Sequence, residues 1–427
     1  MENEKSKLLF MGSSTGTKEA LIYAKSLAVY TIITDYNPPE KNLLKMLADE
    51  YWMIDVADLV TLEQKCRKEQ ITGIFASTSE FCLDKTRELC RRLSLPFYAS
   101  DEGWTCARNK LRFKQRCVEC GLDVPKLYQL EEPLTVRSVS ELTYPVIVKP
   151  VDSCAQQGLS LCRNGEELLA CYERALEASP SRRILVEEYI MGDEIDAFYF
   201  IQNGKPLLTS MNDKYFMLIN ERRNASFQPG PSQYYAEYAG LLSNKIEKLF
   251  RKMDCRQGNA FLQAIRRDGR YYFLEMGYRI DGIGTWVNSK PQTGFSNVEQ
   301  MVDLALGRQP SVDIEKDVDF DPGRQNNANY LFWAKPGKVA VSAGVEAVKA
   351  MEGVNVVVER FHEGDIIPKA DSMFQMAYYI GIIGNNQREV IDKLKNINET
   401  LHLYDSEGRE LLTPFTDYGV LQKRCFD

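Results

Sequence analysis

Three segments carry residues that could handle a charged nucleotide. The first is Tyr144-Pro-Val-Ile-Val-Lys149-Pro150, followed by the small, polar run 151–158 that ends in Gly158. An apolar strand with one lysine at its end suits an ammonium reaching phosphate oxygens, while N–H groups of the adjoining loop cover the same charge. The second is Ile184-Leu-Val-Glu187-Glu188-Tyr189-Ile190-Met-Gly192-Asp-Glu194, a strand ending in two acids and a turn before a further strand over 195–201. Backbone at Tyr189 and Ile190 could meet an adenine edge, with the carboxylates binding its amino group and the ribose hydroxyls. A solvated acidic turn is the plainer reading of the same residues. The third, 259–279, reads as a hairpin turning at Asp268-Gly269. Gln263 and Glu275 fall near matching ends of its two strands. An acid at the end of a buried strand is a natural Mg²⁺ ligand that bridges nucleotide phosphates. Arg279, just beyond, could grip a phosphoryl or carboxylate group bidentately.

These residues need a scaffold, and the N-terminal third supplies its first part. KLLFM at 7–11 is followed by Gly12-Ser-Ser-Thr-Gly16, an amphipathic stretch, a β-rich run at 29–34, and Asp35. This is a strand, glycine turn, helix, strand, acid pattern, the start of a doubly wound sheet. The glycines do not spell G-x-G-x-x-G, which favours a nucleotide-free Rossmann-like scaffold over NAD binding. A strand at 71–76, a helix at 80–93 and a short β-like run at 95–98 continue the alternation. Helical spacing recurs at 165–178, 298–306 and 387–398. The stretch 213–235 is long, polar and aromatic, and reads as an irregular functional loop. Within it, Arg222 or Arg223 could bind a substrate carboxylate or phosphate, and a solvated arginine pair reads equally well. Tyr278, Asp281, Gly282 and Trp286 are expected to flank the same cavity.

Composition narrows the chemistry. The 427 residues exceed one ordinary core and predict two or three domains. With 53 Lys and Arg against 60 Asp and Glu, the net charge is −7, which argues against bulk nucleic-acid binding and against a polybasic membrane anchor. Only two histidines are present, His362 and His402, too few for a histidine-based triad or a histidine-rich zinc site. Cys117 and Cys120 form an isolated C-x-x-C, half of a zinc site at most, and the eleven scattered cysteines read as reduced thiols. No apolar leader precedes the first strand, and the apolar run at 376–383 is far too short to span a bilayer. A cytoplasmic location is expected.

In order and spacing, the three segments together resemble the ATP-grasp superfamily, in the carboxylate–amine ligase branch with biotin carboxylase, carbamoyl-phosphate synthetase and glycinamide ribonucleotide synthetase. The resemblance spans the whole chain. It implies an α/β architecture of three parts: a Rossmann-like pre-ATP-grasp domain (1–105), an ATP-grasp region (106–310) with a mobile lid at about 142–201, and a small C-terminal α+β cap (311–427). Gly353-Val354 and Glu363-Gly364-Asp365 resemble parts of that cap. Arg108-Asn109-Lys110 opens a helix where the branch has its first phosphate lysine, and Lys149 matches the second. Ser153 falls in the phosphate loop. Glu187, Glu188, Tyr189 and Ile190 match the adenine hinge, and Glu194 the ribose acid. Glu275 and Arg279 match the end of an E-x-N-x-R segment.

The resemblance implies ATP with Mg²⁺, or Mn²⁺, held by Glu275 and Gln263, with Arg279 and Lys149 as catalytic residues. Arg222, Arg223 and Asp281 are the substrate candidates. The implied reaction activates a carboxylate as an acylphosphate, with ADP released, and an amine then displaces phosphate. Small-molecule carboxylates and amines are the implied partners, and a homodimer is left open. Three departures stand out. Gln263 replaces an acid, Gly277 replaces the asparagine of E-x-N-x-R, and the phosphate loop has only Gly158. Two alternatives stay open: a carboxylase-like or carbamoyl-phosphate-forming enzyme, and a nucleotide-binding relative without catalysis.

Overall fold

The computed structural model describes residues 6–130, 134–152, 158–219, 222–314, 326–370 and 373–423. The N-terminal apolar runs form a four-stranded parallel sheet. Its order is Glu50–Trp52, Tyr30–Thr34, Lys7–Met11, Gly73–Phe75, with helices Thr17–Ser26 and Leu59–Lys68 between strands and helix Glu80–Leu93 after the last. Continuous burial of Leu8, Leu9 and Phe10 reflects a sheet covered on both faces. One cover comes from far along the chain. Val298, Met301 and Val302 of helix Asn297–Ala305 pack on Leu8, Phe10 and Ala20. Asp35 ends the second strand bound to Lys45 at 2.8 Å, to the Asn42 amide at 2.5 Å and to the Asn37 N–H at 2.7 Å. Its carboxylate is therefore committed to the scaffold. The strand expected at 95–98 is absent. Phe97 and Tyr98 instead pack edge-on against Trp104 and Tyr278, so their apolar character serves the core rather than a ladder.

The central sheet is antiparallel, in the order Lys205–Asp213, Asp193–Gln202, Gly258–Arg267, Arg270–Gly277. One face carries Ile195, Ala197, Tyr199, Leu262 and Phe273 into a core shared with helices Lys110–Glu119 and Tyr235–Lys252. Strand alternation turns Glu194, Asp196 and Gln263 to the other face, and a bulge between Phe273 and Glu275 brings Glu275, opposite Gln263, to that face as well.

A smaller antiparallel sheet, in the order Leu127–Tyr128, Ile184–Glu188, Val146–Pro150, Ser160–Cys162, packs on helix Gly165–Glu177. It has a core of its own in Val139, Val146, Val148, Leu168, Ala175 and Val186. The span of about 142–201 expected from the sequence does not coincide with this sheet at either end. Leu127–Tyr128 joins this sheet, whereas Asp193–Gln202 pairs on both sides within the central one. Local patterning marks a strand but not its partner.

The third large sheet corrects two further expectations. The polar stretch at 213–235 is no irregular loop. Tyr215–Ile219 and Arg222–Gly230 form a hairpin that pairs with Asn327–Ala334, followed by Met376–Ile383 and Val354–Glu359. This hairpin belongs by hydrogen bonding to the C-terminal strands, across the boundary expected near residue 310. Polar residues buried beside Phe227, which sits in the hydrophobic core, hid the strand signal. Asn224, Ser226 and Gln228 are buried, and the Ser226 hydroxyl donates to the Leu331 carbonyl at 3.1 Å. Polar residues thus occupy positions where alternation would show apolar ones. Helix Gln387–Thr400 packs behind this sheet through Val390, Ile391, Leu394 and Ile397. Among the described residues, no helix is long and apolar enough to cross a membrane.

Candidate functional site

Helix Lys110–Glu119 forms one wall. Asn109 caps it, its side chain accepting the Arg112 N–H at 3.0 Å. Glu102 of the preceding helix accepts from Arg112 at 2.7 Å and from Arg116 at 2.8 and 3.0 Å. Those guanidinium bonds hold its carboxyl down at about 2. The clamp orients Lys110 and Lys114, one turn apart on the same helix.

The central sheet forms the floor. Gln263 lies directly opposite Glu275 on one neighbour and opposite Asp196 on the other, so the three side chains make a row across three strands. Lys110 approaches Glu275 to 3.4 Å. Burial favours the neutral form of Glu275, but the ammonium charges of Lys110, Lys149 and Lys214 outweigh it and keep the carboxyl below its ordinary range. Lys214 also lies 3.3 Å from Asp196. Burial pushes the Asp196 carboxyl up to about 6, with Lys214 opposing. For Lys214 itself, burial disfavours the charge, but Asp196, Glu194 and Glu275 win and raise its pKa.

The small sheet forms the roof. Lys149 and Glu187 sit diagonally on adjacent strands and form a buried ion pair. Lys114 reaches the other oxygen of Glu187 at 3.1 Å. Burial alone would raise the Glu187 carboxyl, but the two lysines lower it. This placement corrects the adenine reading of Glu187, whose carboxylate is occupied by two ammonium groups. The hinge is also partly committed. The Tyr189 N–H donates to the Pro145 carbonyl at 3.2 Å, and the Glu188 N–H donates to that of Lys126 at 2.9 Å. Ile190 is buried beside them.

Other expected residues fall into two groups. Glu194 and Arg223 form an ion pair, and the Arg223 guanidinium stacks 3.7 Å above the Phe216 ring. Arg279 lines the cleft. Its Nε and Nη2 donate to Glu80 at 3.3 and 3.2 Å, and its guanidinium lies 5.1 Å from the Phe261 ring centre. Arg108 binds the other oxygen of Glu80. Glu80, Arg108, Lys110, Asp152, Glu275 and Arg279 thereby line one cleft. Asp281 does not face it as a spare charge. Its carboxylate accepts the N–H groups of Ile283 and Thr285 at 3.0 and 3.2 Å and the Thr285 hydroxyl at 2.5 Å. It closes the turn before helix Trp286–Thr293. Ser153 and the Arg222 side chain lie outside the described residues.

Residues 109–311 match the family described as carbamoyl-phosphate synthase L chain, ATP binding domain. A solved L-amino acid ligase from Bacillus licheniformis is similar with a TM-score of 0.77 at 19% identity, covering 94% of this chain and 99% of that one. The fold is the ATP-grasp fold. Two relatives match part of the chain. Formate-dependent phosphoribosylglycinamide formyltransferase of Wolinella succinogenes is 27% identical over 206 residues, 47% of this chain and 52% of that protein. D-alanine–D-alanine ligase of Aromatoleum aromaticum is 29% identical over 179 residues, 40% of this chain and 55% of that protein. The chain spans about half the length of these curated relatives.

At this site, sequence reasoning missed Glu80, Lys114, Asp196 and Lys214. Two of them had a local signal. Lys114 follows Lys110 by four residues on one helix, and Asp196 follows Glu194 by two on one strand, so each shares a face with a residue already singled out. Glu80 and Lys214 arrive only through tertiary packing.

Proposed function

We propose that this chain is an ATP-dependent ligase that joins a carboxylate to an amine through an acylphosphate, releasing ADP and phosphate. The observation that carries the reading is the gathering of Lys110, Lys114, Lys149 and Lys214 around Glu275, Glu187 and Asp196. Four ammonium groups against three carboxylates leave a local positive excess in a chain whose net charge is −7. A polyphosphate is the natural complement. Transfer of a phosphoryl group depends on positioning and charge neutralisation rather than on acid–base residues.

In this reading Lys110 and Lys149 hold phosphate oxygens, Tyr189 and Ile190 border the adenine, and Glu194 takes the ribose. Arg279, with Lys149, steadies the transferring group. Glu275 and Gln263, paired across the hairpin, offer one carboxylate and one neutral carbonyl oxygen. That donor set fits Mg²⁺ or Mn²⁺ bound jointly with nucleotide phosphates, because Mg²⁺ accepts one or two carboxylates and keeps several waters. The ion would supply shielding of phosphate charge. The small sheet from Leu127 to Glu188, with its separate core, is the candidate lid. Among the described residues nine cysteines are free thiols, which supports a reducing, cytoplasmic setting.

The likeness to an L-amino acid ligase supports amino acids as the first substrates to try. The test is ADP and phosphate release with pooled carboxylates and amines, singly and together. Release that needs both supports the ligase. Release with bicarbonate alone favours a carboxylase-like or carbamoyl-phosphate-forming enzyme instead. A nucleotide-binding protein without catalysis is the second reading, favoured by Gln263 and by Gly277 under the Phe261 ring. It gains if nucleotide binds but no combination yields ADP.

A further inference from the structure

We propose that Lys114 is a positioning residue for nucleotide binding, holding the charge of Glu187 so that Lys149 can leave that carboxylate for a phosphate oxygen. The inference rests on the ATP reading above.

Glu187 is buried, and its two oxygens are divided between two lysines. Lys149 sits on the same small sheet as Glu187. Lys114 comes from outside that sheet, on helix Lys110–Glu119, whose Phe113 and Cys117 belong to the central core. Lys114 is itself fully buried, and its ammonium also donates to the Phe273 carbonyl at 3.3 Å. Phe273 lies two residues before Glu275 on the floor strand. The ammonium therefore ties the floor of the site to the acid in its roof. A second tie runs beside it, from the Lys110 N–H to the Val151 carbonyl at 3.1 Å.

The charges explain why a lysine stands there. A buried carboxylate stripped of its counter-ion is strongly disfavoured. Were Lys149 the sole partner of Glu187, moving it to a phosphate would leave that acid uncompensated. With Lys114 in place the trio has two positive charges and one negative, and the surplus charge is the one a phosphate can claim. Lys114 makes no contact that a phosphate could replace, because its partners are Glu187 and a backbone carbonyl. Burial lowers its pKa to about 8, with Glu187 opposing that fall. The ammonium is thus charged at neutral pH in a place that would otherwise suit an apolar side chain.

The test is calorimetric binding of Mg²⁺ with ADP, and with a non-hydrolysable ATP analogue, to four forms: wild type, Lys114→Met, Glu187→Gln and the double variant. The expected result is at least a tenfold loss of affinity in Lys114→Met. The double variant should bind within about threefold of Glu187→Gln, because removing the acid removes the need for its guardian. A lysine that merely packs the helix would show no such rescue. Lys114→Met binding as tightly as wild type overturns the proposal, as does a double variant much weaker than Glu187→Gln. Should Lys114→Met fail to fold, the comparison of the double variant with Glu187→Gln decides alone. If wild type binds neither probe, the nucleotide reading falls and this inference falls with it. If wild type binds and the rescue is absent, only this inference falls.

Discussion

The ring of Phe261 covers the α-carbon of Gly277. A Cβ placed on Gly277 would lie 2.2 Å from Cζ of Phe261, well inside contact distance. The same ring supports the Arg279 guanidinium at 5.1 Å. The missing asparagine of the E-x-N-x-R segment is therefore no simple loss. An aromatic ring from the opposite strand fills its place and forms the shelf on which the arginine rests. Restoring the asparagine alone should be harmful. Gly277→Asn must displace the ring and with it Arg279, lowering turnover about tenfold or more, as expected when a reacting group is held out of place. Phe261→Ala/Gly277→Asn should recover part of that loss. Steady-state turnover of the three variants checks this, and equal activity of Gly277→Asn and wild type would refute it.

The row Asp196, Gln263, Glu275 sets the next expectation. The surrounding lysines hold Glu275 below its ordinary range, whereas burial pushes Asp196 towards its neutral form. Glu275→Gln should reduce turnover by about a hundredfold or more, the usual scale for losing a group that stabilises developing charge. Gln263→Glu should instead lower the Mg²⁺ concentration needed for half-maximal activity, because a second acid adds charge for the ion. Magnesium titrations of both variants test the assignment. Full activity in Glu275→Gln together with inactivity in Asp196→Asn would move the metal site one strand over.

Lys149 offers the simplest binding test. Losing one charge-assisted phosphate contact costs about 1.5–3 kcal/mol. Lys149→Ala should therefore weaken ATP by about tenfold or more. Lys114 remains to compensate Glu187 in that variant, so the fold should survive. Thermal melting alongside calorimetry separates lost affinity from lost structure.

Much of this could be read from the chain, and the failures share a cause. Helix 80–93, the hairpin turning at Asp268-Gly269 and the parallel sheet follow from local periodicity and turn chemistry, and the structure has them. Lys149, Glu275 and Arg279 were visible because each interrupts or ends an apolar run. The strand Arg222–Gly230 was not, because Asn224, Ser226 and Gln228 put amides and a hydroxyl at buried positions around the one buried ring, Phe227. Nor could the chain show that Glu187 turns inward to two lysines. One of them lies 73 residues away on another element, and only tertiary packing brings them together. Pairing partners of strands failed for the same reason, as with Asp193–Gln202, whose pattern says strand but not which sheet.

Acid should loosen the wall that carries Lys110 and Lys114. Glu102 has its folded-state carboxyl at about 2, below its ordinary value of 4.5. A depressed carboxyl contributes stability that is present above pH 4.5 and lost as pH falls towards 2. Partial exposure and solvent screening limit the contribution to about 1–2 kcal/mol. Urea midpoints of wild type and Glu102→Gln should differ at pH 6 and converge near pH 2–3. A constant difference across that window would show that Glu102 acts through packing rather than charge.

Arg279 joins the site to the N-terminal domain. Its guanidinium bonds Glu80 at the start of helix Glu80–Leu93, and Arg108 holds the other oxygen of the same acid. Arg279 is therefore anchored by a residue nearly two hundred positions earlier, and both line the cleft. If it acts on the transferring group, Arg279→Ala should lower kcat by about tenfold or more while changing ATP affinity little, since the contact is made mainly in the transition state. Arg279→Lys should not restore turnover, because an ammonium cannot reproduce a planar two-point grip. Glu80→Gln makes the informative comparison. It leaves the arginine present but weakens its anchor, so kcat should fall less than in Arg279→Ala, and KM for the acceptor should rise. Equal losses in kcat and ATP affinity for Arg279→Ala would assign the residue to nucleotide binding instead.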